Sequence, residues 1–243
     1  MYNNANQRWW LQQLRQFNAE FASRHTDVAE LSARDSAFAT AREMQTAAPE
    51  AFDLSSEINN RGMRRRYGLD DLPTRSTGTK LLLARRLVER GVRFVQLYDR
   101  GWDSHTDIDR EHRRQCAAAD RPIAALIKDL KRRGLLDETL VIWGGEFGRT
   151  PVAQVMGKTW GRDHHPHGFT MWMAGGGAKP GVTHGSTDEF GYHAVTDKVH
   201  VHDLHATILH LLGIDHKRLT FRSQGRDYRL TDVHGKVVHP LLG

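Results

Sequence analysis

Three observations in this chain predict an α/β fold built on a mostly parallel sheet. Helical patterns alternate with short apolar runs between residues 79 and 143, the order that lays crossover helices against a sheet. Each of those helical patterns stops at a glycine, Gly91 or Gly134, the residue that tolerates the left-handed turn after a helix. His, Asp and Glu cluster in loops beside three apolar runs, and a parallel sheet presents its functional groups in such loops.

Along the chain, Trp10, Leu11, Leu14, Phe17 and Phe21 give residues 7–24 a helical period, and Leu31, Ala37, Phe38 and Ala41 continue it over 28–44. From Ala48 to Pro73 the pattern is irregular and polar. Residues 79–90 read as a helix, 92–98 as a strand, and Gly101-Trp102-Asp103-Ser104-His105 as its outgoing loop. Residues 111–133 form a long helical pattern with Ile123, Leu126, Ile127 and Leu130 on one face. The run 139–143 that follows is apolar enough to predict a buried strand. Gly161 to Gly168 precedes its apolar run, 169–174, so that strand must run antiparallel for the loop to reach the same sheet edge. Residues 182–188 read as a hairpin or edge strand, and 202–213 as a helix with Asp203 as N-cap and Gly213 as stop. The tail from Gly225 to Leu242 is polar and strand-like. The predicted organisation is one domain: a helical and irregular segment, 1–78, and an α/β core, 79–243.

At 243 residues, with 39% hydrophobic and 26% charged, the composition is that of an ordinary globular protein. The single Cys116 excludes an intramolecular disulfide and a cysteine-rich zinc site. No stretch of about eighteen apolar residues exists, so no membrane partner is expected. The polar opening Met1-Tyr2-Asn3-Asn4 predicts no signal peptide, and localisation is left open. The net charge is +6, but Lys and Arg are scattered and their densest run is Arg64-Arg65-Arg66. That distribution argues against nucleic acid and suits the steering of an anionic ester toward a site.

The chemistry concentrates in three clusters. Asp103 and His105 stand two apart, so extended backbone sends both side chains from one face; carboxylate and imidazole together suit zinc or manganese. The bland alternative is a turn aspartate beside a solvated histidine. Glu146, set among Gly144, Gly145 and Gly148, reads either as a metal ligand or as the ion-pair partner of Arg149, and Arg149 as a clamp for an anionic ester. In Gly161-Arg162-Asp163-His164-His165-Pro166-His167-Gly168 the lead residues Asp163 and His164 are the functional candidates, with His165 and His167 flanking or solvated. The chain holds 15 His, most after residue 160. His202, His205 and His210 read as helix surface, with His205 a lesser site candidate. Gly175-Gly176-Gly177 lacks the Lys-Ser/Thr of a phosphate loop and reads as a turn. Ser104 and Thr150 have no evident base beside them, which argues against a serine-hydrolase triad.

Asp103-Ser104-His105, the run from Leu135 through Glu146-Phe147-Gly148-Arg149-Thr150-Pro151, Gly161-Arg162-Asp163-His164, and Asp203-Leu204-His205-Ala206-Thr207-Ile208 resemble the DUF1501 family. The likeness extends from about residue 40 to the end. These are bacterial proteins abundant in planctomycetes, often exported, and usually grouped with sulfatases in the alkaline phosphatase-like superfamily. The resemblance implies an alkaline phosphatase-like α/β/α sandwich that hydrolyses sulfate or phosphate esters, small or glycan-borne, at a divalent metal: zinc, manganese or calcium. It implies metal ligation by Asp103, His105, Glu146, Asp163 and His164, with Arg149 on the anionic group. Two departures stand out. Glu146-Phe147 occupies the place of the superfamily's metal-binding Asp-His pair. Nothing before Asp53 matches the first strand with its Asp and nucleophile, so the expectation is the C-terminal part of a longer protein. The rival expectation is a non-catalytic binding or scaffold member, with the oligomeric state left open.

Overall fold

The computed structural model describes residues 4–26 and 28–243; the opening Met1-Tyr2-Asn3 lies outside the described residues. The chain divides into two compact units, one ending at Leu54 and the other running Ser55–Gly243.

The first unit is a pair of helices, α1 (Asn4–Arg24) and α2 (Ala29–Phe52), in contact with each other. Asn18 Nδ2 of α1 donates to Asp35 Oδ1 of α2 at 3.2 Å. The predicted helical periods are real, and α2 runs past Ala48 through Pro49 to Phe52.

The second unit is organised by four helices: α3 (Ser55–Asn59), α4 (Arg61–Tyr67), α5 (Leu72–Glu89) and α6 (Ile108–Arg132). The stretch read as irregular is therefore mostly helical. Its starts follow from local chemistry: Asn60 accepts the Met63 N–H at 3.0 Å as N-cap of α4. Pro73 lies in the first turn of α5, where the missing N–H costs nothing. α6 begins three residues before the predicted start and still ends beside Gly134, whose φ is 70°. Tyr67, Leu82, Ile108, Ala119, Leu126 and Leu130 form the apolar core between α4, α5 and α6.

Inside that core sits an ion network. Arg85 is 2% exposed, Asp129 4% and Glu57 9%. Arg85 Nη2 lies 3.2 Å from Glu57 Oε1, Arg85 Nε lies 3.4 Å from Asp129 Oδ2, and Arg85 Nη1 pairs with Glu89. The Tyr67 hydroxyl donates to Asp129 Oδ2 at 3.1 Å. Burial raises the Glu57 pKa, but hydrogen bonds from Ser56 and Arg86 and the Arg86 charge outweigh it and hold the carboxyl at about 2. Buried charges of this kind are tolerated because every carboxylate has cationic or hydroxyl partners.

After α6 come ten short strands: β1 (Val141–Trp143), β2 (Gly148–Arg149), β3 (Gln154–Met156), β4 (Thr159–Gly161), β5 (His164–His165), β6 (Trp172–Ala174), β7 (Ser186–Thr187), β8 (Ala194–Thr196), β9 (Thr220–Ser223) and β10 (Arg226–Arg229). Helix α7 (Val201–Leu211) lies between β8 and β9, and a 3-10 turn (His239–Leu241) follows β10. Among the described residues the strands pair only in twos, β1–β6, β2–β5, β3–β4, β7–β8 and β9–β10, and all five pairs are antiparallel.

The expected alkaline phosphatase-like α/β/α sandwich with a mostly parallel sheet is therefore wrong for this chain. Residues 92–98 have the composition of a strand but form no ladder: Phe94 is 75% and Tyr98 74% exposed. β1 is not the buried strand its composition predicts, since Ile142 is 37% exposed and only β6 pairs with it. Parallel sheets require both faces to be covered. Without parallel neighbours these apolar runs pair antiparallel or stay extended. The antiparallel direction expected for the strand after Gly168 is correct, with Val141 opposite Ala174.

α7 shows a smaller correction. His200, not Asp203, is its N-cap; Asp203 sits at the third position of a capping box and accepts the His200 N–H at 3.0 Å. Gly213 ends it as predicted, with φ 73°. Among the described residues no helix is long and apolar enough to cross a membrane.

Candidate metal centre

Three short elements bring the site together. The loop before α6 carries Asp103, Ser104 and His105. The β2–β5 ladder places Arg149 opposite His164. The β3–β4 hairpin ends in Gly161 and lies against the first loop. Arg162 N donates to Ser104 O at 3.3 Å, and a Cβ on Gly161 would fall 2.1 Å from the carbonyl carbon of His105. Only glycine permits that approach, which presses the hairpin onto the His105 backbone. Thr150 N donates to Asp163 O at 2.9 Å and Arg162 Nη1 to Thr150 O at 2.9 Å, tying the segment after β2 to the segment before β5.

Three of the five ligands expected from the sequence meet: Asp103, His105 and His164 offer ligand atoms that all lie within 4.8 Å of one another. His105 Nε2 stands 3.0 Å from Asp103 Oδ1 and 3.2 Å from His164 Nε2, and His164 Nε2 stands 3.6 Å from the same oxygen. Two imidazole nitrogens this close need a proton or a cation between them. Bonds of about 2.1 Å in a tetrahedral zinc site put neighbouring ligand atoms about 3.4 Å apart. The observed triangle thus has the size of one face of such a tetrahedron. Its members are open to solvent to different degrees: His105 30%, His164 40% and Asp103 65% exposed at the side chain.

The other two expected ligands stand one step back. Glu146 Oε1 is 4.0 Å from His164 Nδ1, and Asp163 Oδ1 is 4.0 Å from His105 Nδ1. Asp163 also accepts the His164 backbone N–H at 2.8 Å. Arg149 pairs with Asp103, Nη2 to Oδ1 at 2.6 Å, and not with Glu146. That hydrogen bond, with the Arg149 charge and the two imidazoles, holds the Asp103 carboxyl below the usual carboxylate range against a smaller opposing effect of desolvation. Asp103 is thus an ionised donor at neutral pH. Arg149 Nη1 is buried with no hydrogen-bond partner.

Gln154 was not legible as a site residue. Its Oε1 lies 2.8 Å from His105 Nδ1. An amide oxygen only accepts, so it holds the proton on Nδ1 and leaves the Nε2 lone pair free for a ligand. Residues 105 and 154 are remote in sequence, and no spacing rule links them. Phe147 packs edge-on to the His164 ring at 4.9 Å, so the phenylalanine in the Glu146-Phe147 pair supports an imidazole.

The remaining histidines serve elsewhere. His165 is 3% exposed and bonds through Nε2 to the Tyr192 carbonyl, with its ring 5.3 Å from that of His167. His205 Nδ1 bonds to Val201 O of its own helix at 2.8 Å. Ser104 is 5% exposed, and the Thr150 hydroxyl donates to Val152 O at 3.0 Å. Neither hydroxyl is presented as a nucleophile.

A family model described as "Protein of unknown function (DUF1501)" matches residues 2–242. No curated protein and no solved structure matches the chain.

Proposed function

The chain belongs to the DUF1501 family, and from that premise we propose that it is a metal-dependent hydrolase of phosphate or sulfate esters, centred on Asp103, His105 and His164. The observation that carries this reading is the ligand triangle, with sides of 3.0, 3.2 and 3.6 Å. Two imidazoles and one carboxylate favour zinc or manganese over calcium, which takes oxygen ligands. A divalent cation held there would supply Lewis-acid polarisation of the ester oxygen.

The chain's own groups prepare the site for an anion. Gln154 presents His105 Nε2. Glu146 Oε1 stands 4.0 Å from His164 Nδ1, beyond hydrogen-bond reach, and adds negative charge beside the centre. Arg149 keeps Asp103 ionised and fixed. Its buried, unsatisfied Nη1 is a donor that an ester's anionic oxygen would satisfy.

A second reading, a metal-binding protein without turnover, is favoured by one observation: the hydroxyls of Ser104 and Thr150, adjacent in sequence to His105 and Arg149, are buried or already bonded. Metal titration of the chelator-stripped chain, paired with turnover of aryl phosphate and aryl sulfate, separates the two. The hydrolase reading expects one equivalent of zinc or manganese, lost in His164→Ala, together with metal-dependent turnover. Stoichiometric metal without turnover selects the second reading. A wild-type chain that takes up neither metal sinks both.

A further inference from the structure

The cations that look scattered along the sequence converge in the fold. A groove of about 730 Å³ between α4 and α6 is lined by Arg66, Arg121, Lys128, Lys131 and Arg132 over a floor of Ala124 and Ala125. Asp71 pairs with Arg121, and Asp129 lies 3.6 Å from Arg132. Arg66, Lys128 and Lys131 have no carboxylate partner among the described residues. On α6 these side chains recur from Arg121 to Arg132, a span of about 16 Å at 1.5 Å per residue. That length matches about five phosphates of a stacked strand at 3.4 Å each.

A second groove, of about 700 Å³, lies on the adjoining side of α6. It is lined by Trp102, Trp143 and Trp172 with Ile123 and Ile127, and it shares Ala124 and Lys128 with the basic groove. Trp102 and Trp143 stand edge to face at 5.8 Å, and Trp172 is 37% exposed. Asp120 is the one acid on its lining. A row of cations sharing a ridge with a row of indoles is the arrangement that takes a charged backbone on one side and flat π faces on the other.

We propose that α6 is a docking surface for single-stranded nucleic acid, with phosphates on Arg66, Arg121, Lys128, Lys131 and Arg132 and bases stacked on Trp102, Trp143 and Trp172. A sulfated polysaccharide would meet the cations but bring no π faces to the indoles. A duplex would keep its bases stacked on each other. This surface does not depend on metal at the Asp103 centre.

The test is fluorescence anisotropy of a labelled oligothymidylate of about ten nucleotides, titrated with the full chain over a salt series. Three cations without a carboxylate partner and two already paired set a slope of log K against log salt between about −2.1 and −3.5, at about −0.7 per contact. The double variant Lys128→Ala, Lys131→Ala makes the slope shallower by about 1.4. Both lysines are exposed on a helix and alanine favours helix, so circular dichroism will show the fold unchanged. An abasic oligonucleotide of the same length binds at least about tenfold more weakly, the loss of one stacked base. Asp120→Asn tightens binding by removing a repulsive charge. Any of three results overturns the proposal: no salt-dependent binding, equal affinity for the abasic strand, or retention of a heparin-like polysaccharide but not of the oligonucleotide.

Discussion

Replacing Gln154 with alanine isolates a contact at the candidate metal centre whose evident role is to aim the His105 imidazole. In the native chain Oε1 holds His105 by its Nδ1–H at 2.8 Å, which fixes both the ring orientation and the tautomer. Without it His105 is free to turn, and to carry its proton on Nε2, the nitrogen that must ligate. Outer-shell partners of this kind are worth about 10- to 100-fold in metal affinity, or about 1.4–2.7 kcal/mol. The His105 side chain is 30% exposed, so water replaces part of the lost bond. The expected loss is therefore at the lower end, about tenfold. The assay is competition for zinc against a chromophoric chelator near neutral pH, with His105→Ala as the reference for loss of a ligand. Gln154→Glu, whose carboxylate accepts the same proton, should bind zinc at least as tightly as wild type. If Gln154→Ala stays within about twofold of wild type, a difference below about 0.4 kcal/mol, while His105→Ala abolishes binding, then the orienting role is refuted.

Three further outcomes follow from the packing around the centre and the core. Glu57 has a folded pKa of about 2 against an ordinary 4.5, so its contribution is complete above about pH 4.5 and is lost as pH falls toward 2. At about 1.36 kcal/mol per unit this is about 3 kcal/mol. Urea unfolding across acid pH should show the slope, and Glu57→Gln should flatten it. Tyr67→Phe strips Asp129, 4% exposed, of its hydroxyl donor; it should cost about 1–3 kcal/mol in chemical denaturation and leave zinc binding unchanged. Gly161→Ala drives a methyl to within 2.1 Å of the His105 carbonyl carbon. It should lower stability by about 1–3 kcal/mol and weaken zinc binding together, a pairing seen by running both assays on one preparation.

Much of the helical content was legible because helices are written in local periodicity and local stop signals. α5, α6 and α7 end where Gly91, Gly134 and Gly213 predict, with positive φ at each. The starts were less legible. α5 begins at Leu72 because Pro73 suits a first turn, a cue hidden in a segment that looks polar and irregular. The sheet is not legible in the sequence, for the opposite reason. The apolar runs at 92–98 and 139–143 record a preference for extended backbone, but whether a strand is parallel, antiparallel or unpaired depends on what lies beside it. Here the partner of β1 is β6, a later run in reverse direction, and 92–98 has none among the described residues.

The sequence by itself marked the candidates. Asp103, His105 and His164 stand out because carboxylate and imidazole recur there in loops beside apolar runs. It also determined most helix ends, through capping and glycine stops that act within a turn or two. Only the tertiary structure decided which of the candidates meet. The Arg149–His164 register, the Gly161 approach to His105 and the Gln154 bond to its Nδ1 gather three candidate ligands and hold Glu146 and Asp163 one step back. Those contacts join residues as far apart as 103 and 164, and such long-range proximity is set by packing and strand register, which no local pattern encodes.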